Sequence, residues 1–212
     1  MVEIIPAILT DSSARFKELV RRLEPYVNRI HVDVADAELV PSRTVTGYKE
    51  IKDTAVAVKF DVHLMVKRPQ EYLKEWFYTH ADRFIIHVES DANLGEIIKN
   101  IKEHGRRVGV AFNPETEPEK SERYFKDIDF VQFMTVHPGF QGGKFVNDVV
   151  DNISKFHKKY PGIIIMCDGG VNPEIAPGLI RAGASALVSG SYVVKSGDME
   201  KAIQQLQEAT EK

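Results

Sequence analysis

The sequence is poor in cysteine, in long apolar runs and in excess charge of either sign. Its single cysteine, Cys167, excludes an internal disulfide and indicates a reducing compartment. The apolar runs are far shorter than the roughly 20 residues of a membrane-spanning helix, and the N-terminal residues show no apolar signal segment. A net charge of -3 leaves no basic excess for nucleic acid or an anionic membrane. We therefore expect a cytoplasmic protein that has no nucleic-acid or membrane partner and acts on a small soluble molecule.

The chain has 212 residues, 43% of them hydrophobic, which suits one globular domain with a sizeable core. No linker pattern divides it, so we expect a single domain over residues 1–212. Strand-like runs alternate with amphipathic helical segments about eight times, which favours a closed (β/α)8 barrel, the TIM-barrel architecture. The alternative is an open doubly wound sheet, which is weakened because no Gly-x-Gly-x-x-Gly follows the first strand.

The individual elements follow from apolar periodicity and from capping residues. The predicted strands are 2–9, 29–34, 55–65, 83–88, 108–112, 130–136, 163–167 and 186–188. The first predicted helix follows the N-cap residues 10–13, the second lies around 48–53, and the third starts with Pro69 at position N1. The next three cover 94–104, 118–125 and 145–160. Another starts at an Asn172 cap with Pro173 at N1, and the last covers 199–209.

Two imidazoles and two carboxylates stand at the ends of predicted strands. Residues i and i+2 of a strand face the same way, so His31 and Asp33 aim at one point. His63 ends the third strand and Asp168 the seventh, and the C-terminal strand ends of a barrel surround one mouth. Nitrogen and oxygen donors of this kind suit one divalent ion, with Zn²⁺ first and Mn²⁺, Fe²⁺ or Co²⁺ as alternatives.

Glycine-rich segments follow the last three predicted strands, at 136–144, 168–170 and 189–191. Glycine lets backbone N–H groups approach an anion, and many barrels hold phosphate after strands seven and eight. Each segment taken alone is equally well explained as a tight turn. Because three occur in consecutive units, we expect a phosphate site beside the metal site, and hence a phosphorylated, oxygen-rich small molecule as partner.

Seven stretches of the chain form a specific pattern together. They are Pro6–Leu9, His31–Asp36 with Val40-Pro41, Asp61–Met65, Asn113-Pro114, Pro138–Phe140, Asp168–Val171, and Ala182–Ala184 with Ser189–Ser191. On these stretches the chain resembles the ribulose-phosphate 3-epimerase family of ketose-phosphate 3-epimerases along nearly its whole length. The resemblance implies a TIM-barrel isomerase of the pentose phosphate pathway, a homo-oligomer, and one divalent metal held by His31, Asp33, His63 and Asp168.

The resemblance also implies roles for individual residues. Asp33 and Asp168 would act as acid and base, converting D-ribulose 5-phosphate to D-xylulose 5-phosphate by two-base proton transfer at C3 through a metal-stabilised cis-enediolate. Substrate and phosphate binding are implied for Gly139, Phe140, Gly142, Gly169, Gly170, Gly190 and Ser191. The residues that we expect to line the pocket are Ala7, Ala35, Met65 and Met134.

Some positions depart from the family pattern. Ala7 stands where the family usually has serine, and Ala35 where it usually has methionine, which predicts a wider and less polar pocket beside the sugar. The alternatives are therefore an epimerase for a different ketose phosphate, or a sugar-phosphate-binding barrel with reduced catalysis. A decarboxylase barrel of the orotidine-monophosphate type is disfavoured, because the sequence has no Asp-x-Lys-x-x-Asp stretch.

Overall fold

The computed structural model describes residues 2–52 and 56–211. Within these residues, eight parallel strands pair in sequence order and close into a barrel, with β8 returning to β1. This confirms the (β/α)8 barrel predicted from the alternation of elements. The strands are β1 (Glu3–Ile8), β2 (Arg29–Ala35), β3 (Lys59–Met65), β4 (Ala81–His87), β5 (Arg107–Phe112), β6 (Phe130–Met134), β7 (Ile164–Asp168) and β8 (Ala186–Ser189).

Helices connect the strands and pack on the outside of the barrel. They are α1 (Ser13–Leu23), α2 (Tyr48–Lys52), α3 (Gln70–Phe77), α4 (Leu94–Glu103), a 3-10 helix (Pro118–Tyr124), α5 (Asp148–Lys159), α6 (Ala176–Ala182), α7 (Ser191–Val194) and α8 (Met199–Thr210). In the part of the chain that the structure describes, no helix combines the length and apolar content needed to cross a bilayer.

The first helix shows how local sequence specifies an element. Ser12 is extended, and its side chain accepts the backbone N–H of Arg15, which satisfies one of the free donors at the helix start. The apolar positions recur at helical spacing, and all of them are buried against the sheet. These buried side chains are Phe16, Leu19, Val20 and Leu23.

Apolar side chains form two main cores, one between strands and helices and one inside the barrel. The inner core depends on a close approach between β5 and β6. A Cβ on Gly109 would lie 2.3 Å from the ring of Phe130, so glycine at this position lets the aromatic ring fill the barrel. The inner core contains Ile5, Ala7, Ile85, Ala111, Phe130, Met166, Ala186 and Val188.

A network of ion pairs lies at the N-terminal end of the barrel. Arg29 donates to Asp61 at 2.6 Å, to Asp82 at 2.7 Å and to Glu3 at 3.0 Å. Arg83 donates to Glu3 at 2.6 Å and lies 3.1 Å from Asp61. Arg107 pairs with Asp82 on the outer side. We call these six residues the floor network: Glu3, Arg29, Asp61, Asp82, Arg83 and Arg107.

Several predicted boundaries differ from the structure. Strand β3 begins at Lys59 rather than at 55, and two predicted end residues, Asp53 and Ala55, lie outside the described residues. Pro69 is the cap that precedes α3, not its first residue. The segment predicted as a helix over 118–125 forms a tighter 3-10 helix.

The region after β7 differs most. Asn172 was predicted to cap a helix with Pro173 at N1, but α6 begins only at Ala176. Asn172 instead accepts the backbone N–H groups of Glu174 and Ile175, which makes a separate turn before the helix. A second proline, Pro177, lies in the first turn of α6, where a missing N–H costs nothing. The short α7 after β8 was not predicted.

Candidate metal and substrate site

The four predicted metal ligands converge inside the C-terminal half of the barrel. His31, Asp33, His63 and Asp168 each offer one ligand atom, and these atoms lie within 4.8 Å of one another. His63 Nδ1 is 2.9 Å from Asp33 Oδ1 and 3.4 Å from Asp168 Oδ2. His31 Nε2 is 3.4 Å and 3.6 Å from the same two oxygens. Each imidazole therefore faces both carboxylates.

Strand register explains this convergence. Asp33 pairs directly with His63 across β2 and β3, and Asp168 is the last residue of β7. Only Asp168 ends its strand as expected, because Asp33 is the fifth of seven residues in β2 and His63 the fifth of seven in β3. His31, the third residue of β2, lies deepest. It still reaches the cluster from below because residues i and i+2 face the same side of a strand.

His31 supplies the test of whether these residues fit a metal ion. Its ring is completely buried, and neither ring nitrogen has a hydrogen-bond partner in the described part of the chain. A buried polar atom without a partner is costly, and coordination to an ion would satisfy one of the two nitrogens. Two imidazole nitrogens and two carboxylate oxygens are a suitable set for a divalent transition ion. The cluster could therefore hold one.

Burial and pairing set the charges of the cluster. Burial alone would raise the pKa of Asp33, but the imidazole of His31, 3.4 Å away, and the hydrogen-bonded imidazole of His63 hold that pKa well below its usual range. Burial alone would lower the pKa of His63, but hydrogen bonds with Asp168 and Asp33 raise it to about 9. Without an ion, His63 thus carries a positive charge beside Asp33.

Gln132 also belongs to the site, and the sequence analysis missed it. Its amide nitrogen donates to Asp168 Oδ2 at 3.0 Å and lies 3.4 Å from both ring nitrogens of His63. The available signal was a single amide in the otherwise apolar strand β6, on the same face as Met134. Gln132 orients the carboxylate of Asp168.

A second histidine stands behind His63. His87 Nε2 lies 2.9 Å from His63 Nε2, and His87 Nδ1 lies 3.0 Å from Glu89 Oε2. Burial lowers the pKa of His87, which keeps its ring neutral. Burial alone would raise the pKa of Glu89, but its hydrogen bond with His87 lowers that pKa. His87 is completely buried, whereas His137 is exposed and pairs with Glu115.

Above the cluster, an open cavity is bounded by the loops that follow β6, β7 and β8. Asp33 and Asp168 reach it, whereas His31 and His63 lie beneath it. Residues to which the sequence analysis gave no individual role also line it: Leu9, Val136, Pro138, Gln141 and Gly143. The predicted residues that line it are Ala7, Met65, Met134, Gly139, Phe140, Gly142, Gly169, Gly170, Gly190 and Ser191.

Ala35 lies elsewhere. It packs in a small buried cluster with Val40 and Met65, behind the cavity wall, so its predicted position on the wall differs from its position in the structure. The methyl group of Ala35 therefore contacts neighbouring apolar side chains rather than open space. Ala7, where the family usually has serine, does face the cavity.

The loop after β7 is held in a conformation that requires glycine. Gly169 has φ +114, and a Cβ there would lie 2.4 Å from Val136 Cγ2. The neighbouring strand fixes this loop, since the N–H of Thr135 donates to the carbonyl of Asp168 at 2.7 Å. The carboxylate of Asp168 and the glycine loop are thus parts of one hydrogen-bonded turn.

A model of the Ribulose-phosphate 3 epimerase family matches residues 3–194. Ribulose-phosphate 3-epimerase from Bacillus subtilis is 36% identical, and the alignment covers 97% of this chain and 98% of that protein. The Schizosaccharomyces pombe ribulose-phosphate 3-epimerase is 31% identical over 99% of this chain and 94% of its own length. The prediction that this chain is an isomerase is therefore confirmed.

Solved structures of other barrels are similar in fold alone. 3-Hexulose-6-phosphate synthase superposes with a TM-score of 0.68 at 18% identity, covering 98% of this chain and 99% of its own. Orotidine 5'-monophosphate decarboxylase from Sulfolobus solfataricus gives 0.67 at 13% identity, covering 100% and 98%. At this identity a common barrel carries different reactions. The sequence matches over nearly the whole chain show that this protein belongs to the ribulose-phosphate 3-epimerase family.

Proposed function

We propose that this enzyme interconverts D-ribulose 5-phosphate and D-xylulose 5-phosphate by epimerisation at C3, with one divalent ion held by His31, Asp33, His63 and Asp168. One observation carries the proposal: two carboxylates and two imidazoles meet at the base of a cavity bounded by glycine-rich loops. The family already supports the epimerisation of a pentulose phosphate.

The two carboxylates supply the proton chemistry. The hydrogen on C3 is acidified by the neighbouring C2 carbonyl, and epimerisation removes it from one face and returns a proton to the other. Asp33 and Asp168 come from β2 and β7, on different sides of the cavity floor, so each serves one face of the sugar. One carboxylate takes the proton while the other, protonated, delivers one.

The remaining site residues bind and orient the substrate. When bound, the divalent ion would stabilise the negative charge on the enediolate oxygens as a Lewis acid, a contribution of several kcal/mol. The amide of Gln132 holds the carboxylate of Asp168 toward the floor of the cavity. Met65 and Met134 contribute apolar side chains to the cavity lining.

The loops after β6, β7 and β8 form the proposed phosphate site. Their backbone N–H groups would donate to the phosphate oxygens, as in other barrels with a phosphate beside strands seven and eight. The residues that we assign to this site are Gly139, Phe140, Gly142, Gly169, Gly170, Gly190 and Ser191, all of which line the cavity.

Ala7 motivates a second candidate, an epimerase for a longer ketose phosphate. An alanine methyl in place of a serine hydroxyl leaves more room and removes one hydrogen-bonding group beside the sugar. A hexulose 6-phosphate would use that room. A cytoplasmic location, a homo-oligomeric state and Zn²⁺ as the resident ion remain predictions from sequence and resemblance.

Hydrogen exchange at C3 tests the proposal directly. In deuterium oxide, the enzyme with Zn²⁺, Mn²⁺, Fe²⁺ or Co²⁺ should incorporate deuterium at C3 of ribulose 5-phosphate and form xylulose 5-phosphate. Chelation should abolish both signals, and the ion should restore them. Binding without exchange would instead indicate a sugar-phosphate-binding barrel. A higher kcat/KM for hexulose 6-phosphate in a parallel assay would assign the longer sugar.

A further inference from the structure

Beyond His63, a line of hydrogen bonds runs from the cluster to the rim of the barrel. His63 Nε2 and His87 Nε2 are 2.9 Å apart, and His87 Nδ1 is 3.0 Å from Glu89 Oε2. The other oxygen of Glu89 accepts the backbone N–H of Asn113 at 2.9 Å and also contacts the hydroxyl of Thr116. Both imidazoles are completely buried, so no solvent group competes along the line.

The direction of every hydrogen bond in this line follows from its outer end. The backbone N–H of Asn113 can only donate, and an ionised carboxylate can only accept. His87 therefore carries its hydrogen on Nδ1, where it donates to Glu89. A neutral imidazole with Nδ1–H has a bare Nε2. The hydrogen between the two rings must then belong to His63 Nε2.

We propose that Glu89 is a positioning residue that acts through His87 to keep the hydrogen of His63 on Nε2, so that the lone pair of Nδ1 faces Asp33 and Asp168. This inference rests on the proposed metal site, because Nδ1 is the atom that would bind the ion. The hydrogen bond made by one ring nitrogen of a histidine determines which nitrogen is free to coordinate.

The other contacts of His63 do not make this selection. The amide nitrogen of Gln132 is 3.4 Å from both ring nitrogens and therefore does not distinguish them. The carboxylates of Asp33 and Asp168 accept hydrogens and, without the line behind the ring, would favour a hydrogen on Nδ1. That form of neutral His63 has no lone pair toward the ion.

Glu89→Gln reverses the donor and acceptor directions along this line of hydrogen bonds while keeping a side chain of the same size. The amide oxygen stays with the backbone N–H of Asn113, which places the amide NH₂ against His87 Nδ1. His87 must then accept at Nδ1 and carry its hydrogen on Nε2. Because two N–H groups cannot face each other at 2.9 Å, His63 shifts its hydrogen to Nδ1.

Two measurements test this reversal. The first is the nitrogen-15 NMR spectrum of histidine-labelled, metal-free protein at pH 10, above the pKa of about 9 of His63. Wild type should show His63 with Nε2–H and His87 with Nδ1–H, and Glu89→Gln the opposite pair. The second is Zn²⁺ affinity by competition with a chromophoric chelator. The Kd should rise on the order of 10- to 100-fold in Glu89→Gln.

Glu103→Gln is the matched control, since Glu103 is an exposed residue at the end of α4 that pairs only weakly with Lys99 at 3.8 Å. It should leave both readouts unchanged. Wild-type His87 with its hydrogen on Nε2 would overturn the proposal, as would unchanged Zn²⁺ affinity in a folded Glu89→Gln protein. The wild-type spectrum needs no variant and no ion. It therefore tests the line of hydrogen bonds even if Glu89→Gln does not fold. It also tests this line if the wild-type cluster binds no metal and the proposed metal site fails.

Discussion

The two ends of the barrel interior both hold buried charges, but they pair them differently. In the floor network, guanidinium groups meet carboxylates: Arg29 alone contacts Glu3, Asp61 and Asp82. At the opposite end, imidazoles meet carboxylates. A guanidinium has only donors and cannot bind a metal, whereas an imidazole keeps a lone pair when neutral. The floor network can therefore stabilise the fold but not bind an ion, while the cluster at the cavity can do both.

The largest expected effect lies at the cavity. Asp168→Asn and Asp33→Asn should lower kcat for epimerisation by about 10²- to 10⁴-fold, because each removes one of the two groups that exchange the C3 proton. Circular dichroism should show a folded barrel in both. Near-normal turnover in either variant would contradict the two-base assignment and would make the cavity cluster as purely structural as the floor network.

The next effect lies in the floor network. Arg29→Met leaves Asp61 buried with one guanidinium partner fewer, and it should lower the free energy of unfolding by about 3–5 kcal/mol. Arg22→Met is the matched control: Arg22 is exposed on α1 and pairs with Glu18, so its loss should cost less than about 1 kcal/mol. Urea denaturation measures both. An equal loss of unfolding free energy in the two variants would mean that burial does not strengthen the ion pairs of the floor network.

A smaller effect is expected at the turn that joins Asp168 to the proposed phosphate site. Gly169→Ala forces an alanine into φ +114 and against Val136, at a cost of about 1–3 kcal/mol. Since the strain distorts the loop, KM for ribulose 5-phosphate should rise by roughly tenfold. Gly162→Ala, at a site with open space around its Cβ position, should leave KM unchanged. If both variants keep KM, the β7 loop does not hold the phosphate.

The smallest effect concerns pH. Burial would raise the pKa of Asp82, but Arg29 and Arg107 lower it from 3.8 to about 2. A carboxyl with a lowered folded pKa stabilises the protein above its unfolded pKa and loses that stabilisation as pH falls. The stability gap between wild type and Asp82→Asn should therefore narrow from pH 4 to pH 2. Urea midpoints at both pH values measure this gap. A gap of the same size at pH 4 and at pH 2 would contradict the pairing of Asp82 with Arg29 and Arg107. Asp11→Asn, in an exposed loop, is the control.

Alternating apolar and polar periodicity was sufficient to predict the barrel and most of its elements. Parallel strands that are buried on both faces must be largely apolar, as β2 is apart from Arg29, His31 and Asp33, and the helices between them must have one apolar face. For the same reason, His31, Asp33 and Asp168 were visible as polar residues that interrupt buried strands.

The roles of other parts of the site could not be predicted from local sequence. Gln132 acts through Asp168 and His63, which come from β7 and β3, so its role depends on strand order and register. The placement of Ala35 behind the cavity wall likewise depends on packing against Val40 and Met65. The start of α6 was misjudged because two prolines, Pro173 and Pro177, each fit a helix beginning, and local rules do not choose between them.

The sequence by itself determined the element types, their parallel arrangement and the chemical identity of the candidate ligands, since these follow from side-chain periodicity and donor chemistry along single segments. Only the tertiary structure decided the depth of His31, the line from His63 through His87 to Glu89, and which alanine faces the cavity. The physical reason is that these properties depend on distances between strands that are far apart in the chain. Closure of the barrel, rather than any one segment, sets those distances.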